Sequence, residues 1–453
     1  MNLCFSSTIS TLIFFFYCCI GLFQDVTCFS SPLTTSSKPA ISTTHRTSFL
    51  LKIDEDKKEN IGDRTHLLFD YDFNELVLRD KSLLSSSSSS SSREEKHSPN
   101  QGEKTTIVLL IQPIGVGIGR WYYNRLLKEM SSSIQNLEGT DDHRNLIFLA
   151  PDLLGCGSAC NPSQVMVDET NDDRSDQKKS YRDGSIPLEK LPLLQVKDWA
   201  DQLCDLMIKY ESKIRMKNKD KNTEENQDEY NWCIVSNGGC VPIALEVGKR
   251  YVKDKTKISP ITNLILSATP SVESLFSVQD MNKIQKSYNT LSGIAGSLFW
   301  WYALRNNGTF IQKFSEKNLA ARAENLGEDW TPNCVETAKG FEGRSRFSTF
   351  AFLAGSLNGN NNERLKALEG KDTMNIDVIT GGDTRRNRAR SWFWDKRSKD
   401  VETEINVEKT TLVPILQQNG NGGREFFVGG RRCPAHEDAK GFCKTLLEII
   451  LNE

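Results

Sequence analysis

Apolar and polar positions repeat with two different periods along the chain. Residues 105–112 form an apolar, β-branched run of strand length, and the glycine-rich stretch 115–119 leads from it into a helical pattern. Similar units follow at 145–157 and 232–251, and further strand-like runs occur at 263–268, 375–382 and 424–430 before a final helical segment. Strands that alternate with helices predict an α/β fold, with a mostly parallel sheet covered on both faces.

The strand pattern disappears between Thr269 and about residue 371. Segments there, such as 297–304, 310–326 and 347–357, are helical or apolar in pattern. An insertion of this length before the last two strands predicts a helical cap, at about residues 270–372, over the crevice at the strand ends.

The first hundred residues have a different composition. Residues 11–23 are apolar but shorter than the roughly 20 residues that span a bilayer, which predicts a signal peptide at 1–28 and no permanent membrane span in the mature chain. Residues 29–52 are rich in Ser and Thr and carry no acidic residue, and Ser85–Ser92 is a homopolymeric run. We expect a transit-like, unstructured segment at 29–103 and the folded domain at 104–453.

The predicted signal peptide and the segment after it, together called the leader, also indicate a cellular location. Its Val-Thr-Cys-Phe junction at 26–29 resembles the two-part leaders of algae with complex plastids, in which an aromatic residue follows the signal cleavage site. A plastid is therefore the expected location, and secretion is the alternative.

Charge and cysteine usage restrict the partners. The 57 basic and 59 acidic side chains give a formal net charge of −2, which does not favour a nucleic-acid partner. Cys156 and Cys160 are the nearest pair beyond the leader, and no second cysteine or histidine pair accompanies them. We expect no metal, no cofactor and a small-molecule partner.

Three loops carry a family resemblance. Gln112-Pro-Ile-Gly follows the first predicted strand, Asp152-Leu-Leu-Gly-Cys-Gly follows the second, and Ser236-Asn-Gly-Gly follows the third. From about residue 105 onward the chain resembles the α/β-hydrolase family, and these loops are similar to those of a plant, algal and cyanobacterial subgroup. The resemblance implies an α/β-hydrolase fold with the active site at these loops.

Carried onto this chain, the family's catalytic roles fall on five residues. Ser236 would be the nucleophile and His436 its general base, and Asp383 would orient the histidine. The backbone N–H groups of Ile114 and Asn237 would bind the oxyanion.

Two positions depart from the family pattern. Ile234 stands where the first glycine of the Gly-x-Ser-x-Gly turn belongs, and Arg432 stands where the family places its catalytic histidine. An arginine cannot act as a base near neutral pH, so Arg432, like Arg385 after the predicted Asp383 strand, would instead suit an anion.

The sequence is therefore compatible with both a catalytic and a non-catalytic protein. One hypothesis is a carboxyl-ester hydrolase that acts on an apolar substrate enclosed by the aromatic residues 299–302 of the cap. The other is a non-catalytic pseudo-hydrolase that binds a lipid-, pigment- or isoprenoid-like ligand. A nucleotide-binding Rossmann domain fits less well, because glycines 115, 117 and 119 lack the Gly-x-Gly-x-x-Gly spacing.

Overall fold

The computed structural model describes the main part of the chain in fourteen ranges. These are 73–78, 104–135, 145–157, 193–219, 229–254, 258–277, 280–305, 307–339, 346–358, 361–369, 374–382, 412–418, 420 and 422–451. The predicted signal peptide and most of the transit-like segment lie outside the described residues.

The described strands form one seven-stranded sheet. They are β1 (Phe73–Leu78), β2 (Lys104–Ile111), β3 (Asn145–Pro151), β4 (Glu229–Asn237), β5 (Ile261–Ser267), β6 (Asn375–Gly381) and β7 (Gly422–Val428). Their order is β1-β3-β2-β4-β5-β6-β7, and every neighbouring pair is parallel except β1 with β3. The predicted α/β class with a mostly parallel sheet is confirmed.

The edge strand β1 corrects one sequence prediction. It lies inside the segment 29–103 that composition assigned to an unstructured region, and all six of its residues pair with β3. Leu76 packs against one core, the Phe73 ring meets Tyr210 edge-on at 6.0 Å, and Glu75 accepts a hydrogen bond from the Tyr210 hydroxyl at 2.7 Å. The folded region therefore begins before Lys104.

Helices follow the strands and fill the long connections. In chain order they are α1 (Asn124–Gln135), α2 (Val196–Lys219), α3 (Val241–Lys253), α4 (Val272–Phe276), α5 (Met281–Ser292), α6 (Ile294–Phe299), α7 (Gly308–Asn318), α8 (Ala323–Leu326), α9 (Trp330–Lys339), α10 (Arg346–Ala354), α11 (Asn361–Lys366), α12 (Val413–Gln418), α13 (Pro434–Glu437) and α14 (Ala439–Leu451). A π-helical turn, Trp300–Leu304, continues α6.

Two apolar cores lie on opposite faces of the sheet. Alternate residues of β2 divide between them: Ile107 and Leu109 join the first core, and Val108 and Leu110 join the second. Helices α2 and α3 cover the first core, and α1 and α14 cover the second. The strands β2 to β6 are buried on both faces along most of their length, which explains their nearly continuous apolar sequences.

The regular elements described in the insertion between β5 and β6 are all helical, from α4 to α11. This is the helical cap that the sequence predicted. Among the described helices, none combines the length and apolar character that crossing a bilayer requires.

Candidate functional site

The sheet reverses its strand order beside β2. The chain passes from β2 to β3 on one side and then returns to place β4 on the other. In parallel α/β sheets, ligands bind in the crevice outside the carboxyl ends of the strands at such a switch point. Here that crevice lies between the loop after β2, which begins at Gln112, and the turn after β4.

The turn after β4 has glycine at its apex. Asn237 still has an extended backbone (φ −120°, ψ 134°), Gly238 has a φ of +59°, and α3 begins at Val241. This is the sharp strand-to-helix turn on which the fold normally lifts its nucleophile above the sheet. A Cβ atom built on Gly238 would meet nothing within 4 Å. The space that a nucleophile's side chain would occupy is open, and no side chain enters it from the apex.

Ser236 lies two residues before this apex, inside β4. It pairs with Ile111 of β2 and Leu266 of β5, and none of its surface is exposed. Because side chains alternate along a regular strand, Ser236 faces the first core, as Ile234 does. Its hydroxyl makes no hydrogen bond within the described residues. The structure therefore places Ser236 inside β4, two residues before the apex, and its role as the nucleophile stays a prediction.

His436 lies on the other side of the sheet. It sits in α13 with 1% of its surface exposed, and its ring stacks on Tyr122 and contacts Trp330, both members of the second core. Its Nε2 atom is 3.0 Å from the carbonyl oxygen of Leu326. Burial lowers the pKa of His436, and the Leu326 carbonyl acts in the opposite direction. The structure therefore does not bring His436 to Ser236.

Of the two predicted oxyanion donors, the Ile114 backbone N–H already has a partner, and Asn237 lies in a strand with its side chain hydrogen-bonded. The Ile114 backbone N–H lies beside the Cys240 sulfur, where it opposes the rise that burial causes in the thiol pKa. Asn237 belongs to β4, and its side-chain amide donates to the Arg432 carbonyl at 3.1 Å and accepts from the Ser267 hydroxyl at 3.4 Å.

The last three predicted site residues are Arg432, which the structure describes, and Asp383 and Arg385, which it does not. The Arg432 backbone lies next to the turn after β4, and its N–H donates to Leu319 of the cap at 3.0 Å, while its side chain is exposed. Asp383 and Arg385 lie outside the described residues, although β6 ends at Gly381, two residues before Asp383.

The comparisons with known proteins bear on the fold alone. No family model matches the chain, and no curated protein matches it. A solved structure described as an α/β hydrolase from Nostoc sp PCC 7120 is 9% identical, with a TM-score of 0.44, and the match covers 84% of this chain and 94% of that one. An epoxide hydrolase from Solanum tuberosum is 10% identical, with a TM-score of 0.43, and the match covers 78% of this chain and 94% of that one.

The fold is identified by the strand order of the sheet and by the sharp turn after β4. The chain has the α/β-hydrolase fold. An unliganded epoxide hydrolase, CorEH, shows a similar likeness, with 10% identity and a TM-score of 0.41 over 78% of this chain and 91% of that one.

In this α/β-hydrolase fold the cap helix α10 lies directly on the loops of the crevice. The Ser348 hydroxyl donates to the Gly155 carbonyl at 2.7 Å, and the Thr349 hydroxyl donates to the Gly115 carbonyl at 3.1 Å. A Cβ atom on Gly239 would come within 2.6 Å of the Phe352 ring. Glycine after the apex is what allows α10 to approach so closely.

Two buried thiols lie under α10. The Cys156 thiol donates to Ser348 at 3.2 Å, with the Gln112 amide beside it, and burial raises the pKa of Cys156 to about 12. Burial also raises the pKa of Cys240. Both thiols are therefore protonated at neutral pH, and a protonated thiol is a poor nucleophile.

Sequence reasoning missed Gly238 and α10 as parts of the site. The available signal was conformational: within Ser-Asn-Gly-Gly, only a glycine adopts a positive φ without strain. Among the described residues, no group of three His, Cys, Asp or Glu side chains is arranged to hold a metal ion.

Proposed function

We propose that this chain is a non-catalytic α/β-hydrolase-fold protein that binds a small, largely apolar ligand beneath its cap. The observation that carries the proposal is Gly238, which has no side chain and occupies the apex of the turn on which the fold places its nucleophile. Covalent acyl transfer needs a nucleophilic side chain at that point, within reach of a base.

The neighbouring candidates support the same conclusion. Ser236 is fully buried on the first-core side of the sheet, and His436 is enclosed by aromatic rings of the second core. A base must come within about 3 Å of the proton that it removes, directly or through one water. Residues divided between two faces of a sheet do not meet this condition.

The apolar character of the ligand follows from the cap. Trp300 is fully buried and meets Phe350 edge-on at 5.7 Å, whereas Tyr302 is 75% exposed. Only part of the aromatic segment 299–302 therefore faces the interior, which revises the expectation that all of it encloses the ligand. A lipid-, pigment- or isoprenoid-like molecule suits such walls.

Two assays on the purified full chain test the proposal. Native mass spectrometry, followed by organic extraction, should find a small apolar molecule retained by the protein. Turnover of a series of p-nitrophenyl esters should be the same for wild type and for Ser236→Ala, and equal to the rate without protein. Turnover that Ser236→Ala abolishes would instead establish the alternative, an ester hydrolase that uses Ser236, Asp383 and His436.

The proposed location remains a plastid. It rests on the composition of residues 1–52, which lie outside the described residues. A fluorescent protein fused behind residues 1–52 should enter the plastid of an algal host, and its secretion into the medium would support the alternative.

A further inference from the structure

The cap interior contains an arginine whose guanidinium makes no hydrogen bond among the described residues. Arg346, the first residue of α10, has none of its surface exposed, and none of its three guanidinium nitrogens makes a hydrogen bond within the described residues. The Phe347 ring, 5.1 Å from the guanidinium carbon, offers a weak cation–π contact. Burying an unpaired charge is strongly unfavourable, so the position calls for a counter-charge.

Arg346 keeps its charge in this setting. Burial lowers the pKa of the guanidinium, and the neighbouring Tyr288 hydroxyl acts in the opposite direction. An arginine starts from a pKa so far above neutrality that it stays protonated in proteins. The interior of the cap therefore holds one full positive charge among aromatic rings.

A second donor lies in the same cluster. Trp300 is fully buried, and its indole N–H also makes no hydrogen bond within the described residues. Its ring contacts Phe350, which lies one helical turn after Arg346 on α10. Tyr288 of α5 adds a buried hydroxyl next to the guanidinium. We call Arg346, Trp300 and Tyr288 the cap donor cluster.

The chemistry of the cluster selects its ligand. A guanidinium and an indole can only donate hydrogen bonds, so the matching group must be an acceptor, and the guanidinium favours an anion. The cluster contains a single positive charge, which one carboxylate neutralises, whereas a doubly charged phosphate would leave an excess negative charge in an apolar site. The surrounding rings suit a long apolar body behind that head group.

We propose that the cap donor cluster binds the carboxylate of a lipophilic acid, with Arg346 as its counter-ion and Trp300 as a second donor. This inference rests on the proposed function and makes it more specific: the ligand is an apolar acid. Ester turnover decides the function, whereas discrimination between an acid and its ester decides the inference, so the two can fail separately.

Fluorescence titration of the full chain tests the inference directly. The probes are a conjugated polyene fatty acid, which fluoresces in apolar sites, and its methyl ester. We expect the acid to bind about tenfold or more tightly than the ester, because the ester carries no negative charge and cannot form an ion pair with the guanidinium. Equal affinities, or no binding of either probe, would overturn the inference without any variant having to fold.

Variants then assign the effect to the cluster. Arg346→Met should remove the preference for the acid, and Trp300→Phe should weaken the acid severalfold while leaving the ester unchanged. Arg364→Met is the matched control, because Arg364 lies in the cap but pairs with Glu246 at 2.8 Å. An acid preference that survives in Arg346→Met, or that Arg364→Met removes equally, contradicts the assignment. Tighter binding of a monoalkyl phosphate than of the acid would overturn the choice of a carboxylate.

Discussion

Replacing Gly238 by alanine probes the open space at the apex of the turn. The backbone there has a φ of +59°, and the added methyl group would meet no atom within 4 Å. The only native-state penalty is then the left-handed conformation, which costs an L-residue about 1–2 kcal/mol. Alanine recovers about 0.4–1 kcal/mol by restricting the unfolded chain. We expect Gly238→Ala to lower the free energy of unfolding by about 1 kcal/mol.

Gly117 offers a matched comparison, because it has a similar φ of +67° but no space. A Cβ atom there would lie 1.8 Å from the backbone oxygen of Cys334 in the cap. The conformational penalty is the same, and the clash with backbone adds about 1–3 kcal/mol or more. Urea unfolding followed by circular dichroism measures both variants. If Gly238→Ala destabilises the protein as much as Gly117→Ala does, the apex is not open and the reasoning fails.

Three further predictions concern the frame around the site. A chain that starts at Gln101 lacks β1, so its free energy of unfolding should be about 2–4 kcal/mol lower than that of a chain that starts at Lys52. Equal urea midpoints of the two chains would show that β1 does not contribute to stability. Glu437→Gln should lower the free energy of unfolding by about 2 kcal/mol, because the Glu437 carboxylate accepts hydrogen bonds from three backbone N–H groups. Glu448→Gln, at an exposed position, is the control, and equal effects of the two substitutions would contradict the stabilising role of Glu437. Because burial lowers the pKa of His436, the unfolded chain takes up a proton on this histidine at a higher pH than the folded chain does. The free energy of unfolding should therefore decline as the pH falls below about 6.5, by at most about 1.4 kcal/mol per pH unit. His436→Phe should flatten this decline in thermal unfolding measured between pH 7 and 5, and an unchanged slope would refute the assignment.

The parallel strands could be predicted because a strand buried on both faces has an almost continuously apolar sequence, and the cap could be predicted because that pattern is absent from it. Strands such as β2 are almost continuously apolar, since neither face meets water. The edge strand β1 has no such mark. It is six residues long and partly exposed, with Asn74 and Glu75 inside it, and its pairing with β3 depends on a partner about 70 positions later in the chain.

The apex of the turn after β4 does not lie where the sequence motif indicates, for a different reason. A sequence motif counts positions, so the serine of Ser-Asn-Gly-Gly was matched to the nucleophile, but the backbone bends where the chain can adopt a positive φ. β4 continues through Asn237, which moves the apex to Gly238 and leaves Ser236 inside the sheet.

The environments of His436 and Arg346 depend on contacts with distant parts of the chain. His436 packs against Trp330 of the cap, 106 positions earlier by number, and Arg346 faces Tyr288. Local sequence patterns carry no information about such contacts, and for that reason neither the burial of the histidine nor the absence of a hydrogen bond from the arginine guanidinium among the described residues could be predicted.

Covalent labelling tests whether the apex of the turn after β4 lacks a nucleophile. The full chain would be incubated with a fluorophosphonate, which reacts with activated serines, and its intact mass compared with that of Ser236→Ala. We expect no mass increase in either protein while both remain folded by circular dichroism. A stoichiometric adduct on wild type that is absent from Ser236→Ala would contradict it, because Ser236 would then be an activated nucleophile.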